Sequence, residues 1–223
     1  MAKDKNPLDG VVRFIPAEGF QDDLQALMLQ HVTPALEATG VTLETLPATL
    51  DPQVYAILVT CVVEDLMTRE GKDGRNVTDA YLKRHGWKQG SGVKRQLQAL
   101  RESKARLYEI TAVKPGIGLT LRDLLAPDIS HDVSAPGLAN ALPVGCPLGV
   151  RILRVDGEAI LSGGILPFEE NMSAEATEAV RAAAGDDENL APHITAFWLR
   201  KTLEEQAAEA ASPTPAKAPW DDY

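Results

Sequence analysis

Cys146, His131 and Asp132 are the residue types of a thiol nucleophile, its general base and a group to orient that base, and all three fall within residues 131–146. Such chemistry requires mutual hydrogen-bond reach, about 2.6–3.2 Å between heavy atoms. Against it, Cys146 stands between Gly145 and Pro147, just ahead of a strand-like run, where a small buried thiol is the ordinary outcome. Gly163 and Gly164 raise a second chemistry, a phosphate cradle. A P-loop needs G-x-x-x-x-G-K-[ST], and no lysine follows these two glycines; inside a strand they mark a bulge or a bend. His31 falls on the apolar stripe of a helix, His193 follows Pro192 at a helix start, and no H-x-x-H or H-E-x-x-H spacing offers a zinc site. No catalytic residue, metal ligand or cofactor is assigned on these grounds, and an enzyme with an unrecognised site ranks last among the function classes.

Binding chemistry is better represented. Residues 81–108 hold eight Lys or Arg against one acid, Glu102, a local charge of +7 that leaves −17 for the remainder of a chain whose total is −10. Lys83, Arg84, Lys88, Lys94, Arg95, Arg101 and Lys104 are candidate nucleic-acid contacts, since cations on one helix face attract phosphates and release counterions. Tyr81 and Trp87 are candidates for stacking on bases or for packing, with His85 a further stacking candidate. The competing reading is a solvated face whose charges pair with the acidic remainder, and for Trp87 a plug between helix and sheet. At the other end, Trp220, Asp221, Asp222 and Tyr223 form an acidic and aromatic tip on a Pro/Ala-rich tether, a peptide that could dock in a basic groove.

Composition narrows the classes. A chain of 223 residues with 44% hydrophobic residues can bury a core. Net negative charge argues against non-specific nucleic-acid binding by the whole molecule. The two cysteines, Cys61 and Cys146, have no metal or redox spacing, which fits a reducing cytoplasm. The longest apolar run, residues 54–63, is about half of the ~20 residues that a membrane span needs, so no membrane association is expected.

The elements that must carry these residues follow from periodicity and punctuation. Residues 1–18 read as a flexible segment, with a short strand over residues 11–15. From residue 19 to 105 the pattern is a helical unit with a basic hinge: a helix from Phe20 that Pro34 kinks or restarts, then a buried helix over 52–69 capped by Asp51 and opened by Pro52. A short helix capped by Asn76 or Thr78 and a second carrying Val93, Leu97 and Leu100 flank a glycine turn, in the manner of a helix-turn-helix. Residues 106–168 switch to strand alternation, with Asp156-Gly157 as a hairpin turn, and predict a small antiparallel β-barrel or curled sheet. Residues 169–210 read as C-terminal helices, and 211–223 as a disordered tail. The fold class expected is α+β.

Six stretches, residues 64–70 (EDLMTRE), 74–88 (GRNVTDAYLKRHGWK), 103–109 (SKARLYE), 121–125 (LRDLL), 161–168 (LSGGILPF) and 197–199 (FWL), carry a resemblance. In their order and spacing the chain resembles the N-terminal portion of a group of larger, uncharacterised bacterial proteins, over about residues 50–205. The resemblance implies no activity and no functional residue; it implies that a further domain follows in those proteins, where this sequence stops soon after its last helix. The expectation from all of this is a non-enzymatic, cytoplasmic interaction module that binds a protein partner, with DNA or RNA binding by segment 81–106 as the alternative. Oligomeric state and partner identity are not legible.

Overall fold

The computed structural model describes residues 8–211, and the expectation for the tip at 219–223 lies outside them. Eight helices and six strands follow in order: α1 (Leu8–Ala17), α2 (Gln21–Thr39), α3 (Leu46–Thr49), α4 (Pro52–Thr68), α5 (Val77–His85), α6 (Ser91–Glu102), β1 (Ala105–Lys114), β2 (Gly118–Asp123), β3 (Ser130–Ser134), β4 (Pro147–Val155), β5 (Glu158–Leu161), β6 (Leu166–Pro167), α7 (Ser173–Ala184) and α8 (Ala191–Ala211). The architecture is the α+β arrangement expected, with helices at both ends and a barrel between them.

α4 is the centre. Asp51 accepts from the Gln53 N–H at 2.7 Å and Pro52 occupies the first helical position, so the helix starts where orphan donors are satisfied. Every residue from 61 to 67 is buried, because one side of α4 faces α2, α8 and the Leu166–Phe168 segment while the other faces α1, α5 and α6. Leu58 belongs to the first apolar cluster, and Val62, Val63, Leu66 and Met67 to the second.

The barrel closes as β1-β2-β3-β5-β4 and back to β1, with β6 added beside β4. Closure leaves no long unpaired edge. Its interior holds Tyr108, Ile110, Leu119, Leu121, Val133, Leu148 and Val150. The pairs are antiparallel except β3 with β5, which meet in parallel at Ser134 and Ile160. The Asp156-Gly157 turn has positive φ at both residues, 54° and 86°, as a two-residue hairpin of primed type requires.

Three local expectations are corrected. Residues 11–15 lie in α1 and not in a strand, and Val11, Phe14 and Ile15 are buried there, so that part of the segment read as flexible is packed. Val11, Phe14 and Ile15 recur at helical spacing once they have α5 to pack against, and Phe14 meets the Tyr81 ring edge-on at 5.4 Å. Of the two outcomes offered for Pro34, a new helix is excluded: α2 runs through it to Thr39 and closes on Gly40 in the left-handed region. Trp87 does not plug the space between helix and sheet; it is 78% exposed, on a single 3-10 turn (Gly86–Lys88) between α5 and α6.

Candidate functional sites

The basic segment is divided by its partners. Arg84 pairs with Glu18 at 2.5 Å, Arg95 with Asp156 at 2.7 Å, Arg101 with Asp79 at 3.3 Å and Lys104 with Glu188 at 3.1 Å. These four cations of the candidate set are tied to acids from other elements. Lys83, Lys88 and Lys94 have no carboxylate partner among the described residues; Lys88 and Lys94 sit near exposed Trp87 at the α5–α6 turn, with Lys83 exposed in the last turn of α5. The Lys88 ammonium lies 4.9 Å from the Trp87 ring centroid, and Lys94 reaches back toward Gly86. Tyr81 is buried: its hydroxyl accepts from the Gln89 amide at 2.8 Å and its ring packs on Phe14 and His85. Of the two aromatics proposed for stacking or packing, Tyr81 packs and Trp87 is free to stack.

Two adjacent acids on α4, which periodicity alone did not single out, form the most elaborate polar centre. Asp65 is fully buried. Its Oδ1 accepts from Arg151 at 2.9 Å and from Asn189 at 3.3 Å; its Oδ2 accepts from His31 at 3.1 Å and pairs with Arg69 at 2.7 Å. Burial pushes the Asp65 carboxyl up, but the His31 hydrogen bond and the charges around it more than reverse this and bring it down to about 2. Burial lowers His31 below its ordinary value despite Asp65. The imidazole is therefore assigned as neutral with its proton on Nε2, the nitrogen that faces Asp65, leaving buried Nδ1 without a partner among the described residues. Arg151 also donates to the Ser103 carbonyl at 3.0 Å, linking the end of α6 to β4.

Above this centre lies a cleft of about 790 Å³ lined by Arg69, Arg101, Arg151 and Asn189, with Asp79, Glu102 and Glu188 among the acids around it. Its guanidinium groups are largely committed, although Arg69 Nε is buried with no partner among the described residues. Arg101 donates to the Thr68 carbonyl at 2.8 Å, and Arg69 to Gln30 at 3.2 Å. The cleft is thus braced by internal ion pairs, a structural arrangement more than a set of idle donors.

Glu64 has a different environment. It is 2% exposed, and its Oε1 accepts from the Gly163 N–H at 2.8 Å and the Gly164 N–H at 3.1 Å. Burial raises its carboxyl above the ordinary range; the Ser162 hydroxyl, Arg151 and the two glycine amides oppose that shift more weakly. The paired glycines do cradle an anion, but it is this protein's own carboxyl. They also form the bend expected from the sequence: β5 and β6 flank one side of β4, and the chain leaves that side at 163–165 to reach α4. A Cβ on Gly164 would come within 2.8 Å of Cys61 Sγ and 2.9 Å of Glu64 Oε2, so only glycine admits this approach.

The thiol constellation is not assembled. Cys146 is buried, its Sγ directed at the Phe168 carbonyl 3.1 Å away, and burial raises its thiol. His131 instead meets Arg154 and the edge of Tyr108, while Asp132 accepts from Thr120 and pairs with Lys114. Cys61 and Cys146 are both free. No group of three or more metal-ligating side chains is present among the described residues, and no helix there is long and apolar enough to cross a membrane. His31 is the core histidine its spacing predicted.

No curated protein and no solved structure matches the chain. A family model does match, over residues 63–205, a span that includes Glu64, Asp65, Asn76, Arg151 and both glycines but not His31. The chain belongs to DUF7986, a family of unknown function.

Proposed function

We propose that this member of the family is a non-enzymatic interaction module that presents the α5–α6 turn to an acidic segment of a protein partner. The observation that carries this reading is Trp87, 78% exposed, the most exposed of the large apolar side chains described. A tryptophan held in water on a short turn between two packed helices is a preorganised anchor of the kind that dominates interface energies. Lys83, Lys88 and Lys94, the cations of the segment that no described carboxylate pairs with, add charge complementarity to an acidic partner.

Nucleic-acid binding is the weaker alternative because four of its seven proposed contacts are held in ion pairs and the chain carries −10 overall. A cytoplasmic setting is supported by two free, buried cysteines, and membership of larger bacterial proteins by the order of segments from residue 64 to 199.

A photoreactive side chain at position 87, in the cells that make the protein, should crosslink a protein with an acidic surface. Trp87→Ala, and separately Lys83→Glu with Lys88→Glu, should remove that crosslinked partner from affinity capture by roughly tenfold or more, the scale of an anchor residue, with the melting temperature unchanged. Crosslinks to DNA or RNA, or capture that survives both changes, would overturn the proposal.

A further inference from the structure

We propose that the cavity over Glu64 binds a small aliphatic primary amine in its ammonium form. The cavity measures about 240 Å³ and lies between α4, α6 and the barrel; Leu97, Leu100 and Leu153 form apolar wall, and Glu64, Ser162 and Gln96 bring polar groups to it. That is somewhat below the ~300 Å³ at which drug-sized sites begin, so the ligand is small.

Two features of the lining select its chemistry. Ser162 is 6% exposed, and its hydroxyl, close enough to Glu64 to favour the charged carboxylate, meets no acceptor at hydrogen-bonding geometry among the described residues. A buried hydroxyl in this condition is an unmet demand of about 1–3 kcal/mol in ordinary cases. Among the described residues, Glu64 Oε1 accepts only from the neutral amides of Gly163 and Gly164. Arg151, whose charge also favours the ionised Glu64, is engaged with Asp65 and the Ser103 carbonyl. A carboxyl so placed is penalised for ionising until a cation joins it.

An ammonium group supplies that cation and several N–H donors at once, while the alkyl chain covers leucine side chains. An alkyl carboxylate would add a second anion beside Glu64, and an alcohol would leave the charge uncompensated. Where Glu64 is protonated in the free protein, binding the ammonium form releases that proton to solvent and leaves the carboxylate paired with the ligand.

The test is calorimetric titration of the full chain with n-butylamine, n-butanol and butyrate, with the Glu64 carboxyl carbon followed by NMR. The amine is expected to bind saturably, at least about tenfold tighter than the other two, and to shift the Glu64 resonance to its ionised position. Glu64→Gln should lose about tenfold or more of the amine affinity and none of the alcohol's. Gln96→Trp, which adds bulk to a partly exposed residue of the cavity lining, should block the amine in a protein that melts normally. Absence of saturable amine binding, equal binding of the alcohol, or full binding by either variant would overturn the site.

Discussion

Glu64 and Asp65 are neighbours in sequence and nearly equal in burial, yet their carboxyls shift in opposite directions, because Asp65 is paired directly with Arg69 and Arg151 and hydrogen-bonded to His31, whereas Arg151 and the neutral donors around Glu64 offset its burial more weakly. The folded state lowers Asp65 to about 2, so its contribution to stability is present above the unfolded value of 3.8 and is lost as pH falls toward 2. His31, lowered from 6.5, adds loss on the same side: below 6.5 the unfolded chain takes up a proton that the buried imidazole resists. Glu64 is raised from 4.5, so its protonated form favours folding, and stability falls as pH climbs from 4.5 through the raised value. Two substitutions separate these effects. Asp65→Asn leaves Arg69 and Arg151 without their shared anion and should cost about 3–5 kcal/mol in urea unfolding at neutral pH, as breaking a buried pair does. Glu64→Gln keeps an acceptor for the glycine amides, and its stability relative to the parent should improve as pH rises above 4.5; a difference flat in pH would show that Glu64 does not titrate there. Sequence periodicity gave no sign of either role. The available signal was a pair of acids inside an otherwise apolar helix, a position where a charge survives only if other elements pair it.

At the scale of elements, Asn76 joins two helices with one side chain. Its Oδ1 accepts from the Asp79 N–H at 3.0 Å and caps α5, while its amide donates to the carbonyls of Met67 at 2.9 Å and Arg69 at 2.5 Å at the end of α4. Thr78 adds a third bond, to the Met67 carbonyl at 3.0 Å. Asn76→Ala should therefore cost more than the ~1 kcal/mol typical of an N-cap. A loss of about 2–4 kcal/mol by thermal unfolding is expected, since the Arg69 carbonyl also loses its donor and the Met67 carbonyl keeps only the Thr78 hydroxyl. Asn76→Asp retains the acceptor and not the donor, so it should recover only the α5 share. A full recovery would place all the energy in the α5 cap. The capping role of Asn76 toward α5 was readable from its place before a helical run; its grip on α4 was not, because α4 ends eight residues earlier, at Thr68, and only the intervening turn brings the two together.

For the molecule as a whole, cooperativity follows from shared elements. α4 supplies side chains to two apolar clusters, to which β1 adds Leu107 and β4 adds Leu153, so neither the helical unit nor the barrel can open without exposing the other's core. Urea unfolding followed by far-ultraviolet circular dichroism and by the fluorescence of buried Trp198, in a Trp87→Phe, Trp220→Phe background, should give coincident transitions. Separated midpoints would mean that barrel and helices fold independently. Much of this architecture was legible in the residues themselves: the cap and apolar run of α4, the change from helical to alternating period near residue 105, the Asp156-Gly157 turn and the glycine that ends α7 are all local, and local preferences act over a few residues. The local charge of +7 was equally plain. What it meant was not, because charge is counted along a chain while ion pairs form across space: Arg84 meets Glu18, Arg95 meets Asp156 and Lys104 meets Glu188 only after the chain has folded. Tertiary packing alone decided which cations stay unpaired near Trp87, and which of two adjacent acids would be paired with guanidinium groups.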